Sequence, residues 1–420
     1  MKGNVLVGQS GGPTAVINSS LAGVFKTAKE RGFTKVYGMR NGIQGFIDEQ
    51  YVDLSDHIKN ELDLELLKRT PSAFLGTCRY KLPEIHEDKA VYERIFELLD
   101  KLEIEVFIYI GGNDSMDTIR KLSDYSLLTG AKQKFVGCPK TIDNDLAITD
   151  HTPGFGSAAK YIATSTKEVI CDAMGFSYKK KNVTIIEIMG RNAGWLTGAA
   201  ALSRGEDCDG PDLIYLPEVP FSIEGFVNSV KNLLDKKDVV VAVVSEGIKT
   251  EDGRYVCENT AGSETTDAFG HIQMTGTASY LASVIQKDLG CKTRAVELST
   301  LQRAAAHLAS KTDVDEAFNV GGACVKAADE GSTGVMVVID RVSNDPYESS
   351  TAVYDVHRIA NAEKVVPRKW INKDADYVTE EFLDYVRPLI QGQYSPVMVE
   401  GLPRHLNMHL RNYNWSKNKK

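Results

Sequence analysis

The seven residues P-K-T-I-D-N-D at 139–145 set two carboxylates one residue apart, beside a hydroxyl and a lysine. Asp143 can take the proton from an attacking hydroxyl while Asp145 supports a metal ion or the base. That division suits phosphoryl transfer, where positioning and charge neutralisation carry most of the catalysis. An ordinary Asx-turn also uses D-N-D, so neighbouring motifs have to decide between the two readings.

G-G-N-D-S (111–115) follows the apolar run I-E-V-F-I-Y-I (104–110). Its glycines let backbone N–H groups approach a phosphate, yet Asp114 brings a charge that phosphate repels. In a purely structural reading, Ser115 caps the next helix and Asp114 assists. In the chemical reading, Asn113 and Asp114 face the phosphate through Mg²⁺, a hard cation that prefers oxygen ligands and cancels the repulsion. Q-S-G-G-P-T-A (9–15) puts Gly11 and Gly12 at a second strand-to-helix turn, with Pro13 or Thr14 opening the helix. A tight turn without a ligand also explains those glycines. Neither stretch is a G-x-G-x-x-G or Walker A sequence, which disfavours a dinucleotide enzyme or a P-loop ATPase.

M-G-R-N-A-G-W (189–195) offers Arg191 for equatorial phosphoryl oxygens, and S-E-G (245–247) offers Glu246 as an acceptor from sugar hydroxyls. K-T-R (292–294) and L-Q-R (301–303) supply Arg294 and Arg303 for a second phosphate. Taken singly, each arginine reads more readily as a surface ion pair than as a ligand contact.

These residues need a frame that gathers them. Near-continuous apolar runs at 4–8, 104–110, 134–138, 183–189, 239–244 and 334–339 suggest strands buried on both faces. Helical patterns at Thr14–Glu30, Ser115–Leu128 and Gly156–Ala173 alternate with them. The class is α/β, with mostly parallel sheets covered by helices. Ligands bind beyond the carboxyl ends of such strands, and five of these runs end in polar or glycine-rich segments that can share one cleft.

At 420 residues the chain is long enough for two domains. A formal net charge of −8 argues against nucleic acid as a partner but allows a local anion site. Seven scattered cysteines without a C-x-x-C pair argue for reduced thiols. No apolar window approaches the roughly 18 residues of a membrane span, and no signal-peptide pattern opens the chain. The expected location is the cytoplasm. S-Y-K-K-K-N (177–182), the one basic cluster, reads first as solvated surface.

S-G-G-P, G-T-C-R (76–79), G-G-N-D-S, P-K-T-I-D-N-D, M-G-R, S-E-G and T-R…L-Q-R occur in the order found in the phosphofructokinase family, which the chain resembles from about residue 4 to 303. The resemblance implies two Rossmann-like lobes: about 1–154 with 302–360 for the phosphate donor, and about 155–301 with 361–420 for the sugar phosphate. It implies Asp143 as the base, with Thr141 and Arg191 stabilising the transferring group. Gly11, Gly12, Arg79 and Gly112 would surround the donor phosphates, together with Asn113, Asp114 and Ser115. Met189, Gly190 and Glu246 would contact the sugar beside Asp145. Arg294 and Arg303 would hold the 6-phosphate, with Arg294 crossing from a neighbouring subunit of a homodimer or homotetramer.

ATP-using relatives carry glycines where this chain has Asp114 and Lys140, a pairing that resembles the pyrophosphate-dependent branch. Both side chains fill space that a nucleotide's α-phosphate would take, and Lys140 suits the end of a shorter donor. The implied reaction moves a phosphoryl group from pyrophosphate to the 1-hydroxyl of fructose 6-phosphate, with Mg²⁺ bridging the donor oxygens. An ATP-dependent phosphofructokinase and a non-catalytic regulatory subunit are the alternatives. Asn182 stands where ATP-type relatives place a cross-subunit arginine, and Lys180 or Lys181 is the candidate substitute. Thr300, Ala304 and Ala305 also depart from the pattern around L-Q-R.

Overall fold

A computed structural model describes residues 2–176, 180–259 and 274–408. The apolar runs form two separate sheets. Strands β1 (Asn4–Gln9), β2 (Val36–Met39), β3 (Tyr51–Asp53), β4 (Ile104–Gly111) and β5 (Lys134–Pro139) belong to the first, and β6 (Asn182–Ile188), β7 (Leu213–Tyr215), β8 (Val239–Ser245) and β9 (Lys292–Glu297) form the second. The chain then returns to the first sheet with β10 (Val335–Asn344) and β11 (Tyr347–Asp355).

The first sheet runs β11-β10-β5-β4-β1-β2-β3, parallel except at its two edges, where β11 and β3 are antiparallel to their neighbours. The second runs β7-β8-β6-β9 and is parallel throughout. Every residue of β1, β6 and β8 is buried. Alternation sends Val5 and Val7 into one core and Leu6 into another on the opposite face. In the second sheet it likewise separates Ile186 and Ile188 from Val183 and Ile185. At about 1.5–3 kcal/mol for each fully buried aliphatic side chain, this two-sided burial fixes strand register, because a one-residue slip would exchange the two faces.

Several boundaries differ from those read in sequence. The first helix begins at Ile17 with Val16 before it, so neither Pro13 nor Thr14 opens it. Residues 10–14 are instead taken up in a loop tied to 72–78: Gly11 N–H donates to Cys78 O (3.3 Å), and Ser72 N–H to Thr14 O (3.2 Å). The helix Asn113–Thr129 starts two residues earlier than expected, with Gly112 before it, and Ser115 is not its cap. Ser115 packs instead under Gly111, where a Cβ would lie 1.9 Å from Ser115 Oγ. The run ending at Met189 stops as a strand at Ile188, and 334–339 lengthens into the β10–β11 hairpin. Of the stretch after 361, Val366, Ile371, Phe382 and Leu389 join a core of the second sheet, and Leu406 and Met408 pack into the first sheet's core. The seven cysteines form no disulfide. Residues 177–179 of the basic run and the tail beyond 408 lie outside the described residues.

Candidate active site

Register brings the polar strand ends together. Gln9 pairs with Ile110, and Gly111 with Pro139, so the loops after β1, β4 and β5 leave one edge of the first sheet side by side. Ile188 pairs with Ser245, which aligns M-G-R with S-E-G in the second sheet. Loops from both sheets line one cavity of about 360 Å³.

On the donor wall, the helix Asn113–Thr129 has no side-chain cap bond at its N-terminus, leaving first-turn N–H groups available to an anion. Asp114 is exposed in that first turn and lines the cavity. Lys140 is 4% exposed. Its ammonium donates to Gly12 O at 2.8 Å and lies over Gly11, where a Cβ would be 3.3 Å from Nζ. Gly11 has φ +74, a conformation that costs a non-glycine residue. Arg303 also reaches this wall, since a Cβ on Gly12 would meet its guanidinium at 3.3 Å.

The turn 141–145 is tied down from several sides. Thr141 Oγ1 accepts from Asp143 N–H at 3.1 Å, and Thr141 O accepts from Thr152 Oγ1 at 2.7 Å. Asn144, fully buried at φ +54, donates to Tyr385 OH (2.8 Å) and accepts from Thr152 N–H (3.1 Å). Asp143 and Asp145, on either side of it, both line the cavity.

The sugar wall interlocks M-G-R with S-E-G. Gly190 N–H donates to Glu246 Oε1 at 3.2 Å, and Ser245 Oγ donates to Gly190 O at 2.5 Å. A Cβ on Gly247 would lie 1.9 Å from Arg191 O, so only glycine allows the two loops to stack. Met189, Arg191 and Glu246 line the cavity there, and Gly190 lies directly behind them.

Burial dominates the electrostatics. Asp143, Asp145 and Glu246 keep a small surface toward the cleft yet lie deep among protein atoms. Burial raises Asp143, against the pull of Lys140, Thr141 and Arg191. Asp145 is pushed up to about 7 by burial and then by the charge of Asp143. Glu246 is pushed up to about 8 by burial, despite its bond from Gly190 N–H. Lys140 is pulled down to about 8 by burial, opposed by Asp143 and Asp145. Buried acids and a buried base titrating near neutrality in one cleft mark a site built for proton and phosphate chemistry.

The cavity thus gathers Gly11, Gly12, Arg79, Gly112, Asn113, Asp114, Ser115 and Lys140 with Thr141, Asp143, Asp145, Met189, Arg191, Glu246 and Arg303. Arg294 is elsewhere. It lies on β9, ion-paired with Asp172 at 2.9 Å, beside a separate hollow against the helix Phe155–Met174. Lys181 reaches Asp235 (3.7 Å) at the surface, and neither it nor Lys180 lines the cleft. Sequence reading missed Tyr80, Asn192 and Glu363 as lining residues. Asn192 was within reach, one position past Arg191. Glu363 carries no motif and arrives through the chain's late return.

The phosphofructokinase family profile matches residues 4–328. A pyrophosphate–fructose 6-phosphate 1-phosphotransferase of Xanthomonas campestris is 42% identical over 97% of this chain and 96% of its own length. Another of the same name from Halomonas elongata is 41% identical over 96% and 95%. The crystal structure of a pyrophosphate-dependent phosphofructokinase from Nitrosospira multiformis superposes with a TM-score of 0.87 at 37% identity, covering 96% of both chains. With the family profile matching residues 4–328 and relatives 42% and 41% identical over nearly the whole chain, this chain belongs to the phosphofructokinase family.

Proposed function

We propose that the protein is a pyrophosphate-dependent 6-phosphofructokinase: pyrophosphate and fructose 6-phosphate give fructose 1,6-bisphosphate and phosphate. The observation that carries the choice of donor is Lys140, buried across Gly11 and bonded to Gly12 O. It shortens the donor wall while adding a cation, and Asp114 stands at the opening. A nucleotide would have to run its α-phosphate past both side chains. Pyrophosphate has no such extension.

In the transfer, the 1-hydroxyl oxygen bonds to the terminal phosphorus as the P–O–P bridge breaks, and phosphate leaves. Asp143 accepts the hydroxyl proton and must therefore be ionised at the start. Arg191, Thr141 and Lys140 face the charge that spreads over the transferring oxygens. Pyrophosphate beside Lys140 favours its ammonium form by direct attraction, so donor binding holds the buried lysine charged to higher pH.

The residues also fit Mg²⁺. Asn113 Oδ1 is buried without a hydrogen-bond partner among the described residues, and Asp114 follows it. Mg²⁺ takes few protein oxygens and keeps water and substrate phosphate as its other ligands. No group of three His, Cys, Asp or Glu that could hold a metal ion occurs among the described residues, in keeping with an ion that arrives with its phosphates. Asn113 and Asp114 would hold it, and when bound it would supply charge neutralisation for the donor phosphates.

We read Arg294 as serving the cleft of a second subunit, which makes the assembly a homodimer or homotetramer. No helix among the described residues is long and apolar enough to cross a membrane, and we assign the enzyme to the cytoplasm. The test is one coupled assay for fructose 1,6-bisphosphate with pyrophosphate or ATP as donor. Turnover with pyrophosphate alone is expected. Turnover with ATP alone would overturn the donor assignment.

A further inference from the structure

A segment outside every motif crosses the active turn. Glu363 forms an antiparallel bridge with Leu146, and Lys364 N–H donates to Asp145 O at 2.8 Å. On its other side the same segment holds the Arg191 loop. Asn192 Nδ2 donates to Glu363 Oε1 at 3.0 Å, and Trp195 Nε1 donates to Lys364 O at 3.1 Å. Glu218 Oε1 accepts from both Gly194 N–H (2.8 Å) and Val366 N–H (2.9 Å).

The Lys364 ammonium turns inward. It donates to Asp150 O (2.7 Å), Thr149 O (3.2 Å) and Asn144 Oδ1 (3.2 Å), and lies 5.3 Å from the Trp195 ring centroid. Three oxygens match its three donors, which a buried ammonium needs if its desolvation is to be offset. Asp145 and Asp150 attract it, and Arg341 opposes them. Asn144 is the point through which this acts. Its left-handed backbone is a strained state for a non-glycine residue, and it sits between the two carboxylates that line the cleft. Any backbone rotation at Asn144 changes the position of Asp143 relative to Asp145.

We infer that Lys364 is a positioning residue for phosphoryl transfer, one that locks Asn144 and thereby sets Asp143 and Asp145 against the Arg191 loop. The inference rests on Asp143 being the base. Lys364 touches neither substrate in this role, so its loss should lower the chance of a correct attack geometry without weakening ground-state binding. It should also remove a cation that favours the ionised form of Asp145.

The test compares full-length wild type, Asp143→Ala, Lys364→Met and Tyr385→Phe in the pyrophosphate assay across pH. Asp143→Ala should lose about 10²- to 10⁴-fold in kcat. Lys364→Met should lose about 10- to 100-fold in kcat, because misplacement of about 1 Å is that costly, with both KM values held within about threefold. Its acid limb of kcat/KM should move to higher pH, which loss of packing alone would not cause. Tyr385→Phe, which deletes the hydroxyl accepting from Asn144, should show a smaller kcat loss with the same constancy of KM. If Asp143→Ala is inactive but Lys364→Met keeps kcat within about twofold and its acid limb in place, the inference is overturned alone. If Asp143→Ala remains active, the base assignment falls and takes the inference with it. Should Lys364→Met fail to fold, Tyr385→Phe decides, and wild-type kcat there overturns the inference.

Discussion

The two walls of the cleft are built by different means. The donor wall is made largely of backbone turns that follow directly from β1, β4 and β5, and the Lys140 side chain folds back onto those turns. The sugar wall depends on pairs distant in sequence: Gly190 with Glu246, Arg191 with Gly247, Asn192 with Glu363. A wall of local turns can be re-tuned by one side chain without disturbing its neighbours, whereas a wall of interlocked loops transmits any change to the next loop. Donor choice is therefore the more evolvable property of this cleft, and sugar binding the more constrained one.

Changing each wall tests that contrast. On the donor side, Lys140→Gly should cost about 10²- to 10³-fold in kcat/KM for pyrophosphate, the range seen when one charge-stabilising donor is removed. The KM for fructose 6-phosphate should barely move, and a parallel rise would show that the walls are not independent. On the sugar side, Gly247→Ala forces a methyl group to within 1.9 Å of Arg191 O. Displacing that loop should lower kcat about 10²-fold and raise the KM for both substrates, and a wild-type enzyme here would remove the case for interlock.

A pH profile probes both walls at once. Asp145 titrates at about 7, with Asp143 raised in the same direction, and the base works only when deprotonated. Hence kcat/KM should fall as pH drops below neutrality. Lys140 titrates at about 8 and binds donor as a cation, so kcat/KM should also fall above that value. Lys140→Met should abolish the alkaline limb and move the acid limb to higher pH, because the Lys140 cation favours the ionised forms of Asp143 and Asp145.

The smallest effect is expected behind the active turn. His151 is 1% exposed between Asp150 (2.8 Å) and Glu316 (2.6 Å). Burial lowers its pKa, but the two carboxylates more than reverse that and raise it to about 9. A group raised in the folded state stabilises fully below its unfolded value and loses that contribution as pH rises through the folded one. The loss should fall between about 6.5 and 9, by at most about 3 kcal/mol. Thermal unfolding of wild type should weaken across that window, and His151→Gln should flatten the dependence with little change in kcat.

The strands, the donor wall and the active turn could be read in sequence because each depends on neighbours along the chain. Continuous apolar runs fix two-sided burial, and the polar residues after them inherit a position at the strand ends. The errors were also local. Val16 rather than Thr14 precedes the first helix, because the loop 10–14 spends its backbone groups on residues 72–78. Ser115 seats under Gly111 instead of capping, a choice made by close packing that spacing does not encode.

Contiguous motifs in the sequence, through the family they resemble, pointed to the chemistry proposed here: a carboxylate base and a shortened cationic donor floor. Contiguity suffices where backbone turns make the site. Tertiary structure decided the position of Arg294 on β9, away from the cleft, and the arrival of Glu363 and Lys364 across the active turn. Those placements depend on how two sheets meet and where a returning segment can find unsatisfied oxygens. No stretch of sequence carries that information, because the partners lie more than a hundred residues apart and are chosen by burial and hydrogen bonding together.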